Sequence, residues 1–197
     1  MNTPKSDSNK NWHKVLYVKY MVSLRCKTIL NAALKKLELK HRITAHGGIE
    51  YYEDLTQEQF HELKKYLQRS GLVLLDEKQS MMIDRIINTI IEVIHYSDDL
   101  PKMNFTELFS ENAISGNETV FKVFSDVKGV SIVQFIITQK IERVKELLLY
   151  DDLTLSEISE KLNYKNKNYL IAQFKKFTGL TPSYFKQLKK KRMEISA

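Results

Sequence analysis

Lys167, Asn168, Ile171, Ala172 and Lys175 fall at helical spacing and share one face, with Leu170, Phe174 and Phe177 on the opposite one. Such a set makes and breaks no covalent bonds; it recognises. Two ammonium groups can neutralise phosphate or reach a guanine edge, and an asparagine amide can pair with adenine. Fifty residues earlier, Thr119 and Lys122 stand on a corresponding face, beside Glu118 and Asp126, two acids that would repel phosphate. The later face therefore carries most of the expected affinity.

Other chemistry has little to build on. Paired carboxylates at useful spacing, a Ser/His or Cys/His arrangement and a glycine-rich phosphate loop are all missing from the chain, so no catalytic residue is expected. His41, His46, His61 and His95 show no ligand spacing. Cys26 is the single cysteine, which excludes an intrachain disulfide and fits a reducing compartment. No metal and no cofactor are expected.

The elements that position the basic face can be read from their ends. Thr154 with Glu157 spells a capping box, so a helix begins at Leu155 and buries Leu155, Ile158 and Leu162. Asn163 tolerates the left-handed backbone of a short turn, a second helix runs from about Lys167, and Gly179 closes it. Thr181 with Pro182 starts another helix. Helix, tight turn and basic second helix form a helix-turn-helix over 154–180, whose second helix can enter a major groove.

The unit occurs twice. A shift of fifty positions lays Asn104 on Thr154, Glu107 on Glu157, Leu108 on Ile158, Ile114 on Tyr164 and Val120 on Leu170. Phe124 then falls on Phe174, Gly129 on Gly179, Ser131 on Thr181 and Phe135 on Phe185, which defines a first motif over 104–130. Between the motifs, Ser131 with Gln134 caps one helix over 131–150 with an apolar stripe through Phe135, Ile136, Ile141, Val144, Leu147 and Leu148. About 20 residues at 1.5 Å each span about 30 Å, close to the roughly 34 Å between successive major-groove faces of B-DNA. Charge follows the second motif: the net +7 is concentrated in residues 131–197, with 13 Lys and Arg against 7 Asp and Glu. That favours a polyanionic partner.

The N-terminal part reads differently. Residues 1–11 form a polar tail, and Lys14 to Met21 is a strand with Leu16, Val18 and Tyr20 on one face. Ser23 caps a helix with a core face of Cys26, Ile29, Leu30, Ala33 and Leu37. His41 to Ala45 and Ile49 to Tyr52 are strands around a Gly47-Gly48 hairpin turn, Thr56 with Gln59 boxes a helix that ends at Gly71, and Leu72 to Glu77 is a last strand. The order predicts a small ferredoxin-like βαββαβ domain over 12–79. From Ser80 to Tyr96, an isoleucine-rich helix has an apolar arc wide enough to pack on the N-terminal domain or on a second copy. No run is apolar enough for a membrane helix and no signal-type stretch precedes the fold, so a cytoplasmic location is expected.

Two helix-turn-helix units joined by a long helix, with KIERVKELLLYDDLTLSEISEKLNY leading to FKKFTGLTPSYFK, resemble the DNA-binding domain of the AraC/XylS family of bacterial transcription regulators. The resemblance covers roughly Ser80 to Lys189, including Arg143 and the G-x-T-P motif at Gly179, Thr181 and Pro182. Ala172 departs from the arginine that the family often carries. The N-terminal stretch also resembles the heavy-metal-associated domain, whose motif is M-x-C-x-x-C, but here Ser23 stands where the first thiolate belongs. The resulting expectation is an α+β chain, ferredoxin-like followed by an all-α domain over 80–197, that reads double-stranded DNA as a transcription regulator. RNA polymerase is a second candidate partner, and monomer or homodimer is left open. A protein-binding adaptor with a degenerate DNA surface and a metal-responsive regulator are the alternatives.

Overall fold

Several helices begin where the chain supplies a side-chain cap, as at Ser23, Thr56, Thr154 and Asn166. The computed structural model describes residues 14–51, 55–97, 118–150 and 153–195. In order these are β1 (Lys14–Leu16), β2 (Val18–Lys19), α1 (Leu24–Lys36), β3 (His41–Ile43), β4 (Ile49–Tyr51), α2 (Gln57–Gln68), β5 (Val73–Leu74) and α3 (Glu77–Ile91). After α3 comes a π turn, Glu92–Tyr96. Then follow α4 (Glu118–Lys128), α5 (Ile132–Tyr150), α6 (Leu155–Lys161), α7 (Lys167–Thr178) and α8 (Pro182–Ile195). The first helix expected for the earlier motif, from Asn104, lies outside the described residues.

The chain divides into two compact units, one of residues 1–84 with 126–129, the other of 85–125 with 130–197. In the first, β1 pairs with β4, β4 with β3, and β2 with β5, all antiparallel. With β1 and β2 as one broken strand, the order across is β5, β1/β2, β4, β3, the order of the expected βαββαβ sandwich. Leu16, Val18, Leu30, Ala33, Leu34, Ile49, Leu63, Leu67 and Leu74 form its core, with Cys26, Ile29 and Leu37 packed at the edge. Leu34, absent from the expected face of α1, is thus a core residue, whereas Cys26 is only half buried.

Two expectations fail at the first strand. The run from Lys14 to Met21 is not continuous, because the Tyr17 N–H donates to Ser80 Oγ at 3.2 Å while its carbonyl accepts from Leu75 N at 2.9 Å. A serine of α3 thereby replaces a strand partner. Tyr20 then takes φ 65° and is 46% exposed, so it leaves the face it was expected to share with Leu16 and Val18. Tyr17 is buried, its hydroxyl donating to Asp84 at 2.9 Å, and burial pushes the phenol well above its usual range. Gly48 makes room for that ring: a Cβ there would lie 2.5 Å from Val15 Cγ1 and 3.1 Å from Tyr17 Cζ.

α3 also begins earlier than the expected Ser80. Asp76 Oδ1 accepts from Gln79 N at 2.7 Å, which starts the helix at Glu77 and leaves Ser80 in its first turns. Ile83, Ile86, Ile87, Ile90 and Ile94 are all buried within the single chain. Each fully buried isoleucine is worth about 1.5–3 kcal/mol, an upper bound for burial from an extended chain.

Candidate nucleic-acid interface

In the second unit, α6 opens with both halves of the capping box. Glu157 N donates to Thr154 Oγ1 at 3.3 Å and Thr154 N to Glu157 Oε2 at 2.7 Å. These bonds to the charged form hold the Glu157 carboxyl below its usual range. Asn163 turns the chain at φ 48°, and Asn166 caps α7 through Oδ1, which accepts from Tyr169 N at 2.8 Å. The turn is held from α5: Lys140 Nζ donates to the Leu162 carbonyl at 2.9 Å and lies 5.3 Å from the centre of the Tyr164 ring. Burial lowers the Lys140 pKa. Gly179 ends α7 at φ 76°, and Thr181 caps α8, whose first residue is Pro182.

α7 turns Leu170 and Phe174 into the core, both fully buried. Lys167, Asn168, Ala172 and Lys175 are exposed on the other side. Two expectations need correction. Ile171 is half buried, because it sits only one step, about 100°, round the helix from Leu170. Phe177 is 38% exposed, and Phe185 of α8 instead packs against Phe174, with ring centroids 5.6 Å apart at 70°. Tyr169 at 52% exposure and Lys176 extend the exposed face beyond the residues singled out from sequence. The helix holds no acid. Charge and amide patterning do not single out Tyr169, an uncharged aromatic in the first turn of α7 that is 52% exposed.

The earlier motif repeats this build where it is described. Val120 and Phe124 are buried as Leu170 and Phe174 are, and Gly129 ends α4 at φ 70°. Phe124 meets Phe135 at 5.6 Å and 71°, which reproduces the Phe174–Phe185 pair. Ser131 Oγ accepts from Gln134 N as Thr181 Oγ1 does from Tyr184 N. On its outer face Lys122 is exposed, Phe121 and Ser125 are half buried, and the side chains of Glu118 and Thr119 lie outside the described residues. Asp126 is not presented as a free acid: its carboxylate meets Lys19 Nζ and the Tyr20 hydroxyl, each at 3.4 Å, inside the first unit. Over the described residues the two motifs are thus built alike, but Asp126 of the earlier one is engaged where α7 carries no acid.

A family model described as a helix-turn-helix domain matches residues 115–187. The C-terminal region is a helix-turn-helix domain of the AraC/XylS type. Among curated relatives, YtdP of Bacillus subtilis, a helix-turn-helix-type transcriptional regulator, is 26% identical over 78% of this chain and 21% of its own length. AdaA of the same organism, a bifunctional transcriptional activator and DNA repair enzyme, is 30% identical over 35% of this chain and 33% of its own. The chain therefore spans a third or less of the length of these relatives. Of solved structures, the C-terminal domain of AraT, a response regulator from Geobacillus stearothermophilus, aligns with 56% of this chain and 87% of its own length at 23% identity, TM-score 0.48.

Between α4 and α6, α5 runs as one uninterrupted helix. Its 19 residues span about 28 Å at 1.5 Å each. Arg143 on this helix pairs with Glu146 at 2.9 Å. In the N-terminal unit, Ser23 acts as the expected cap of α1, and its Oγ lies 3.2 Å from Cys26 Sγ, which holds that thiol below its usual range. Among the described residues no group of three His, Cys, Asp or Glu side chains is placed to hold a metal ion, and no helix is long and apolar enough to cross a membrane.

Proposed function

We propose that this chain is a transcription regulator that binds double-stranded DNA, with α7 in a major groove and the second motif supplying most of the affinity. The observation that carries this reading is the acid-free outer face of α7, where Lys167, Asn168, Ala172 and Lys175 stand exposed over a buried Leu170 and Phe174. Lys167 and Lys175 meet phosphate or a guanine edge, Asn168 pairs with adenine, and the short Ala172 reaches no further than a thymine methyl. Thr119 and Lys122 of the first motif add weaker contacts in the next groove, set by the length of α5. On this reading residues 12–79 are a separate N-terminal domain and 80–197 the DNA-binding one.

Selection of bound fragments from random duplex DNA by the full chain, with affinity followed against salt, tests the proposal. An enriched site across two successive major-groove segments with a steep salt slope is expected. A steep slope without enrichment would reduce the protein to a nonspecific basic domain. No binding at low salt would refute the proposal.

A further inference from the structure

The second motif does not close flush on α5. Within the second unit, between α4, α5 and the turn into α7, lies a cavity of about 460 Å³, in the size range of small-molecule sites. Phe121, Ile132, Val133, Ile136 and Ile137 make its apolar wall, and Tyr169 and Gln173 of α7 close one side. Lys140 and Lys165 are its cations, and no carboxylate is among its described lining residues.

Lys140 is the informative group. Among the described residues its ammonium makes one hydrogen bond, to the neutral Leu162 carbonyl, and otherwise faces the Tyr164 ring. An ammonium has three donors, so this leaves two, and a partly desolvated charge without a counter-ion is costly. Burial already lowers its pKa. An arriving anion would offset that cost. Inorganic phosphate would satisfy the charge but leave the isoleucine wall against water, whereas an apolar body would cover it and remove that surface from water.

We propose that this cavity binds a small organic anion, an aromatic or aliphatic body bearing one carboxylate, with Lys140 pairing the carboxylate and the α5 isoleucines holding the body. Because Tyr169 and Gln173 belong both to the wall and to α7, occupancy alters the affinity of α7 for DNA. That last step rests on the DNA-binding reading; the ligand site does not.

The test is calorimetric titration of the full chain, without DNA, by 2-naphthoate and by its uncharged counterpart 2-naphthamide. The expected result is saturable one-to-one binding of the acid and at least tenfold weaker binding of the amide. Lys140→Gln should bring the acid down to the affinity of the amide, and Lys140→Arg should restore the difference. Val133→Trp, at a position 66% exposed and therefore tolerant of a larger ring, should block both ligands and keeps the test decisive if Lys140→Gln does not fold. No heat from the acid, equal affinities for acid and amide, or binding unaffected by Val133→Trp would overturn the site. Since DNA is absent, the site and the DNA-binding reading can fail independently.

Discussion

Removing the Lys175 ammonium should flatten the salt dependence of DNA binding while leaving the fold intact. Lys175 is exposed on α7, and only its backbone is engaged in ending the helix, where the carbonyl accepts from Gly179 N at 2.8 Å. Alanine is the better helix former, so stability should change by no more than about 0.5 kcal/mol. Each phosphate contact contributes about 0.9 to the slope of log affinity against log salt. A fourfold rise, from about 50 to about 200 mM, therefore costs wild type about 3.5-fold more affinity than Lys175→Ala. For Lys167→Ala with Lys175→Ala the difference should be about 12-fold. Fluorescence anisotropy on a selected duplex, repeated at several salt concentrations, measures the slopes directly. Asn168→Ala is the internal control: its slope should stay unchanged while about 1–3 kcal/mol is lost at a single base pair. Unchanged slopes in both lysine variants, or a larger flattening from Lys122→Ala in the first motif, would refute the assignment of affinity to α7.

Stability measurements check the scaffold beneath that face. Phe174→Ala should cost about 3–5 kcal/mol in urea unfolding, because the ring is fully buried against Phe185, whereas half-exposed Phe177→Ala should cost about 1 kcal/mol or less. Thr154→Ala removes one hydrogen bond of the α6 cap and should cost about 1 kcal/mol, read from the same unfolding curves. The partner of that cap titrates. Glu157 has a depressed pKa in the folded chain, so its contribution is present above the unfolded carboxyl pKa and disappears as pH falls through the folded value; Glu157→Gln should lose this part of the acid dependence. Gly48→Ala, with its new methyl 2.5 Å from Val15 Cγ1, should lower N-terminal stability by about 1–3 kcal/mol in thermal unfolding.

Much of this architecture was legible because its signals are local. Thr56 with Gln59 and Thr154 with Glu157 are capping boxes in the structure as in the sequence, since both bonds form within one turn. Asn163, Gly129 and Gly179 take positive φ where their residue types invite it. The fifty-residue repeat survives as two phenylalanine pairs with the same centroid distance and nearly the same angle, because matching positions in matching helices meet the same neighbours. Two of the failures, the strand through Tyr17 and the outward reading of Asp126, depend on partners far along the chain, whereas Ile171 and Phe177 of α7 are edge positions whose burial is set by how closely neighbouring elements pack.

The sequence by itself determined where the helices of the second motif begin and end, that Leu170 and Phe174 of α7 face the core, and that its outer face is basic. Caps, periodicity and side-chain charge act over a few residues and need no knowledge of the rest of the chain. Only the tertiary structure decided that Ser80 breaks the first strand, that Asp126 is engaged by Lys19 and Tyr20, and that Lys140 reaches across to hold the turn before α7 beside an open apolar cavity. Each of these joins residues at least 22 positions apart, as Lys140 and Leu162 are, and such contacts follow from how whole elements pack rather than from any local pattern.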